Sequence, residues 1–176
     1  MKTLFLLRHA KSDWASPALS DFERPLNARG RRAARAMGSE LRKRGLAADR
    51  ILASPAARVV ETLERLAEGY GGRMAVDYDE QLYLATPETL LDFVHAADDG
   101  HDRLLIVGHN PGLERLTLRL TVPDDLRDAV AEKYPTGALA RIDLPVARWR
   151  DVAPGGGVLE LFLRPRDLAP DLGPDD

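Results

Sequence analysis

Arg103-Leu104-Leu105-Ile106-Val107-Gly108-His109-Asn110-Pro111-Gly112 decides how the chain is read. After its first residue it is a short unbroken apolar run, the pattern of a strand buried on both faces. A turn rich in Gly follows and opens a helix whose apolar positions include Leu116 and Leu120. The same order recurs upstream. Residues 4–7 (Leu-Phe-Leu-Leu) form a central strand that ends in Arg8-His9-Ala10-Lys11-Ser12. Residues 50–53 form another that ends in Ser54-Pro55-Ala56-Ala57-Arg58. Each of three strand ends thus delivers a cationic or imidazole side chain.

Helical patterns lie between the strands. Asn27 reads as the N-cap of a helix with Ala34, Met37 and Leu41 on its apolar face, stopping at Gly45. Val59, Leu63, Leu66 and Tyr70 recur at helical spacing up to Gly71-Gly72. Thr86 (N-cap) and Pro87 (first helical position) open a third helix through Leu90, Leu91 and Val94. Residues 74–78 read as a short strand, and residues 137–144 and 158–163 as closing strands, antiparallel at the edge. Strands alternating with helices predict an α/β fold: a three-layer α/β/α sandwich around a mostly parallel sheet. One domain is expected over residues 1–164. Residues 165–176, with three Pro and four Asp, read as a flexible acidic tail that packs little.

Composition narrows the function. The chain has 176 residues, a formal net charge of −3 and no Cys. One domain of this size has a real core. The acidic balance argues against nucleic-acid binding, and the lack of Cys excludes disulfides, thiolate metal sites and a Cys nucleophile. No stretch approaches the roughly 18 apolar residues of a membrane span, and the first residues are too short an apolar run for a signal peptide. A cytoplasmic protein with no membrane association is expected. The 21 Arg against 4 Lys fit either planar anion contacts or a GC-rich genome.

In open α/β sheets, ligands bind beyond the carboxyl ends of the strands. Arg8, His9, Arg58 and His109 on that rim would make a pocket for a small dianion. The two Arg can fork onto phosphoryl oxygens, and helices starting near Ala56 and Pro111 add N–H donors. A neutral imidazole can attack phosphorus, and neighbouring Arg charge keeps it neutral. The second His can stabilise charge on the phosphoryl oxygens. Such a site needs no metal and no cofactor, because the fixed cations neutralise the charge.

The chain here resembles a known family. Leu6-Leu7-Arg8-His9-Ala10, Arg24-Pro25-Leu26-Asn27 with Gly30, Ser54-Pro55-Ala56-Ala57-Arg58 with Glu61-Thr62, and Val107 to Gly112 resemble, in order, four segments of the histidine phosphatase (phosphoglycerate mutase-like) superfamily. Arg8 to Ser12 with Trp14, and Pro135 to Ala138, are similar to its SixA-type phosphohistidine phosphatase branch. The resemblance implies a hydrolase with His9 as nucleophile, and Arg8, Arg58 and His109 as the phosphate pocket. It places Ser12 where a phosphate-side hydroxyl is found, while Ala15 stands where other branches carry Asn. Those branches carry an acidic proton donor where Leu84 stands here, and Glu80 is the substitute to consider. A site without a dedicated acid favours a good leaving group such as imidazole over an alkoxide. The expected activity is therefore hydrolysis of phosphohistidine in a protein substrate through a phosphohistidine intermediate on His9. The alternatives are a phosphatase of small phosphomonoesters and a non-catalytic phosphoprotein-binding module.

Other conspicuous residues have plainer readings. His95 reads as a boundary histidine, and His101 as part of a polar turn. Asp13 and Asp21 read as turn or cap residues. Trp14 is either a wall of the pocket or an exposed anchor, and Trp149 closes an edge hairpin. Arg29, Arg31, Arg32 and Arg35 read as a solvated helix face.

Overall fold

A computed structural model describes residues 1–174. Six strands form one sheet: β1 (Lys2–Arg8), β2 (Arg50–Ala53), β3 (Asp77–Tyr78), β4 (Arg103–Gly108), β5 (Leu139–Leu144) and β6 (Val158–Leu163). Their order is β3-β2-β4-β1-β5-β6. β3, β2, β4 and β1 are mutually parallel; β5 runs antiparallel to both β1 and β6. The strands with chemistry at their ends, β2, β4 and β1, are therefore adjacent in the middle of the sheet.

Around the sheet lie α1 (Ala28–Lys43), α2 (Ala57–Tyr70), α3 (Pro87–His95), α4 (Gly112–Leu120), α5 (Asp125–Glu132) and the one-turn α6 (Pro165–Leu168). One core lies between the sheet and α1–α2, built on Phe5, Leu7, Met37, Leu63 and Val107. The other lies beneath α3, α4 and α5, built on Leu4, Leu6, Leu90, Ile106 and Leu116. Alternate residues of β1 thus feed opposite cores, as the pleat requires. The result is the α/β sandwich expected from the alternation.

Local signals set the helix starts. The Asn27 side chain accepts from Gly30 N at 2.8 Å, and the Thr86 side chain from Thr89 N at 3.2 Å. Gly30 has a further reason to be Gly. A Cβ there would meet Lys11 O at 2.0 Å, so the first turn of α1 lies directly on the loop that follows His9.

The structure corrects several expectations. The third strand covers only Asp77–Tyr78, not residues 74–78. α5 has no counterpart in the sequence reading, because it is short and buries only Val130. Trp149 does lie in the connection of the edge hairpin β5–β6, as expected, and it is wholly buried there. Its Nε1 donates to His101 O at 2.7 Å, and Lys2 Nζ sits 5.6 Å from its ring centroid. Trp149→Ala should cost about 3–5 kcal/mol, measurable by denaturant unfolding; a loss under 1 kcal/mol would contradict this packing.

The segment after Arg164 also differs from the expected tail. Pro165 and Leu172 are buried, and Arg29 Nη1 donates to Gly173 O at 3.0 Å. A composition that reads as solvated hides two apolar contacts that dock near α1; Asp175 and Asp176 lie outside the described residues. The α1 arginines are likewise not simply solvated, since Arg31 pairs with Glu61, and Arg35 with Glu68 at 2.8 Å, both on α2. His95 is a boundary residue whose Nε2 contacts Val152 O at 2.8 Å. No described helix is long and apolar enough to cross a membrane.

Candidate active site

Arg8 ends β1 and His9 follows it, with His9 N donating to Gly108 O at 3.1 Å across the sheet. The next residue is tied to α2: Ala10 N donates to Thr62 Oγ1 at 3.0 Å, and that hydroxyl donates to Arg58 O at 2.6 Å. The end of β1 and the start of α2 are thereby fixed to each other. His109 follows β4, the neighbour of β1. The His9 and His109 ring centroids lie 5.5 Å apart, and both residues are buried, as is Arg58.

Hydrogen-bond partners assign the tautomers. His9 Nδ1 lies 2.7 Å from Ala10 O. A carbonyl can only accept, so Nδ1 carries the proton and Nε2 keeps its lone pair. His109 Nδ1 lies 3.2 Å from Arg58 Nη2. A guanidinium can only donate, so this Nδ1 accepts, and Nε2–H donates to Ser54 Oγ at 2.7 Å. Arg8 Nη1 donates to Tyr134 O at 2.9 Å, which anchors the other guanidinium on the α5–β5 connection.

Both rings are held neutral. Burial pushes the His9 pKa well below the usual 6.5; Arg8, Arg58 and His109 push it further, against the bond to Ala10 O. Burial, then Arg58, lowers His109 to about 3. The sign for stability follows. The unfolded chain takes up protons near pH 6.5 and the folded chain does not, so stability falls as pH drops below that value. The acid limb of kcat/KM should lie below pH 6.5. A pH–rate profile losing half its activity at or above that value would contradict a buried, neutral His9.

The other predicted residues fare differently. Ser12 is buried, but its recorded pairing is a backbone bridge to Leu26. Among the described residues, no hydrogen bond links its hydroxyl to the four central side chains. Glu80 is exposed in a single 3-10 turn (Glu80–Leu82), with no bond from its carboxylate to the site. Trp14 is 71% exposed, yet Arg24 stacks on its ring at 3.6 Å, so it stands at the rim. The helix starts offer less than expected: Ala57 N already donates to Phe22 O, and Ala56 N to Ser54 Oγ. Among the described residues, no group of three or more His, Cys, Asp or Glu could hold a metal ion.

Asp21 lies in a turn, as expected, with Arg24 N donating to its carbonyl at 3.3 Å, and its side chain also reaches the site. Its Oδ2 accepts from Arg58 Nη2 at 3.0 Å and from the Tyr83 hydroxyl, and its Oδ1 accepts from Arg24 Nη2 at 2.9 Å. Tyr83 packs edge-on against His109, with centroids 5.3 Å apart. The Tyr83 hydrogen bond, then Arg24 and Arg58, hold the Asp21 carboxyl far below the usual carboxylate range against a partial burial penalty.

Residues 4–83 match the model of the histidine phosphatase superfamily (branch 1). The chain is 35% identical over 164 residues to the uncharacterized protein Rv1276c of Mycobacterium tuberculosis, covering 91% of this chain and 100% of that protein. Its structure is similar to that of the provisionally named phosphohistidine phosphatase SixA from Agrobacterium tumefaciens. That similarity has 32% identity and a TM-score of 0.78, over 93% of this chain and 97% of the other. A second provisional SixA, from Nakamurella multipartitia, gives 29% identity and a TM-score of 0.80 over 93% and 96% of the two chains.

This chain belongs to the histidine phosphatase superfamily. Within it the chain is of the SixA type, and it is a phosphatase. Not foreseen from the sequence of this histidine phosphatase are the bond of Asp21 to Arg58, the part of Tyr83, and the role of Ser54 as acceptor for His109. Ser54 did lie inside a quoted motif. The spacing of Asp21, three residues before Arg24, was the one local hint of an Arg–carboxylate pair.

Proposed function

We propose that this phosphatase hydrolyses phosphohistidine on a protein substrate, with His9 as the nucleophile and Arg8, Arg58 and His109 holding the phosphoryl group, His109 turning its Nε2–H from Ser54 Oγ to a phosphoryl oxygen when substrate binds. The observation that carries the reading is the His9 ring: its Nδ1 is committed to Ala10 O, leaving the Nε2 lone pair in a buried pocket with Arg8, Arg58 and His109 close enough to lower its pKa. Nε2 bonds to phosphorus as the substrate P–N bond breaks. A substrate ring protonated on its other nitrogen departs as neutral imidazole and needs no proton from the enzyme. His9, still carrying Nδ1–H, is then a phosphoimidazolium. Water attacks the phosphorus, dihydrogen phosphate leaves, and His9 returns neutral in its starting tautomer. The fixed guanidinium groups balance the phosphoryl charge throughout.

The surroundings favour a P–N bond over an alkyl ester. An alkoxide leaving group has a conjugate acid with a pKa near that of water, about 15.7, and demands a strong proton donor; imidazole, near 6.5, does not. Asp21 is held ionised, and Glu80 is exposed and unconnected to the site. Beside the site, exposed Trp14 covers Arg24 and exposed Phe22 packs on Tyr83, which suits a phosphoryl group presented by another protein in the cytoplasm. Phosphohistidine in a protein should be turned over at least about 100-fold faster in kcat/KM than an alkyl phosphate, a difference of about 2.7 kcal/mol in transition-state stabilisation. Equal or faster cleavage of the alkyl phosphate would overturn the substrate assignment and favour small phosphomonoesters.

A further inference from the structure

We infer that Asp21 is a positioning residue for Arg58, fixing one edge of its guanidinium so that the other faces the anion. The inference deepens the proposed function and rests on Arg58 being a phosphoryl ligand. A guanidinium presents a terminal edge, Nη1 with Nη2, and a lateral edge, Nε with one N–H of an Nη. Asp21 occupies the terminal edge twice over. Arg58 Nη1 donates to Asp21 O at 2.7 Å, and Nη2 donates to Asp21 Oδ2 at 3.0 Å. The second N–H of Nη2 goes to His109 Nδ1 at 3.2 Å, which leaves the outer N–H of Nη1 and the Nε–H, the latter buried without a hydrogen-bond partner. The guanidinium is thus pinned between Asp21 and the second histidine, and Nε–H is the buried donor it keeps for an anion.

Asp21 is itself held firmly. Tyr83 donates its hydroxyl to Oδ2, and Arg24 donates to Oδ1 at 2.9 Å. Phe22 packs edge-on against Tyr83 with centroids 5.1 Å apart, and Trp14 covers the Arg24 face. Asp21 lies in a run of exposed residues from 14 to 23, so these bonds bring an otherwise solvated loop to the pocket wall. A carboxylate beside an anion site is electrostatically unfavourable for binding. Its presence makes sense if the orientation it gives Arg58 outweighs the charge it contributes.

The two effects have opposite signs, which makes the test decisive. Binding of inorganic phosphate is measured by calorimetry on the full chain, its D21A, R58A and D21A/R58A variants, and Y83F, with thermal unfolding alongside. Charged hydrogen bonds of this kind predict that D21A weakens phosphate about 10- to 100-fold. In the R58A background, D21A should cause no further loss, or should tighten binding, because only charge relief remains. Y83F should weaken binding by a smaller factor, about three- to tenfold. If D21A fails to fold, D21N replaces it. Asn keeps the backbone acceptor for Nη1 but sets an amide N–H₂ against one guanidinium, so a loss is still expected. Tighter or unchanged phosphate binding in the single variant would overturn the inference, as would an equal loss in both backgrounds. A separate result, R58A binding phosphate as well as the parent does, would remove Arg58 as a ligand and count against the proposed function itself.

Discussion

His9→Ala should lower turnover at least about 10⁴-fold while leaving phosphate affinity within a few-fold of the parent, in line with losses seen when a nucleophile is deleted from a cooperating set. Among the described residues the His9 side chain bonds only Ala10 O, so the substitution removes the attacking Nε2 without unpinning Arg58, His109 or Ser54, which are tied to one another. The ring is buried, so some stability is lost too. Steady-state kinetics with calorimetric phosphate binding separates the two losses. Retention of more than about a tenth of the parent turnover would end the covalent reading.

Arg58→Ala should be the next most damaging change, with kcat/KM down about 10²- to 10³-fold, the scale of removing one preorganised donor to developing charge. More than a positive charge is lost. Asp21 would remain as an anion on the pocket wall with one guanidinium partner fewer, and His109 would lose the charge that helps keep its pKa near 3. His109 should then titrate closer to the usual histidine range, and the acid limb of the residual activity should move upward. Arg58→Lys should rescue little, because a single ammonium cannot serve both Asp21 and the anion as a planar fork does. Kinetics of both variants across pH 4–8, roughly the span in which histidines titrate, checks this. Near-parental activity in either variant would contradict the assignment.

Much of the fold was legible because its signals are local. Asn27, Thr86-Pro87 and Gly71 mark helix ends by chemistry within a few residues, and each does so in the structure. The run of residues 104–107 is buried on both faces because β4 is central, between β2 and β1. The placement of Arg8, His9, Arg58 and His109 follows from the same facts. Three parallel strands side by side must end on one rim: Arg8 is the last residue of β1, His9 and His109 follow β1 and β4, and Arg58 lies in the first turn of the helix after β2.

What was not legible depends on contacts distant in sequence. Asp21 and Tyr83 belong to irregular segments 62 residues apart, where no periodicity points inward. Trp149 closes the β5–β6 hairpin as read, but its burial beside Lys2 and His101 cannot be read from its Arg neighbours. The segment 165–174 is acidic and rich in Pro on average, but buried Pro165 and Leu172, with Leu168 and the Arg29 bond to Gly173 O, dock it. The proton-donor question was framed by Glu80, which the 3-10 turn leaves in solvent, whereas the carboxylate that reaches the site, Asp21, is bound by two arginines and cannot serve as an acid.

Brief exposure to a phosphohistidine donor carrying a labelled phosphoryl group, quenched in alkali and in acid, examines the covalent step itself. Label that survives base, is lost in acid, and maps to the peptide containing residue nine is the predicted result. Full turnover with no such label, or an acid-stable label on another side chain, would contradict it.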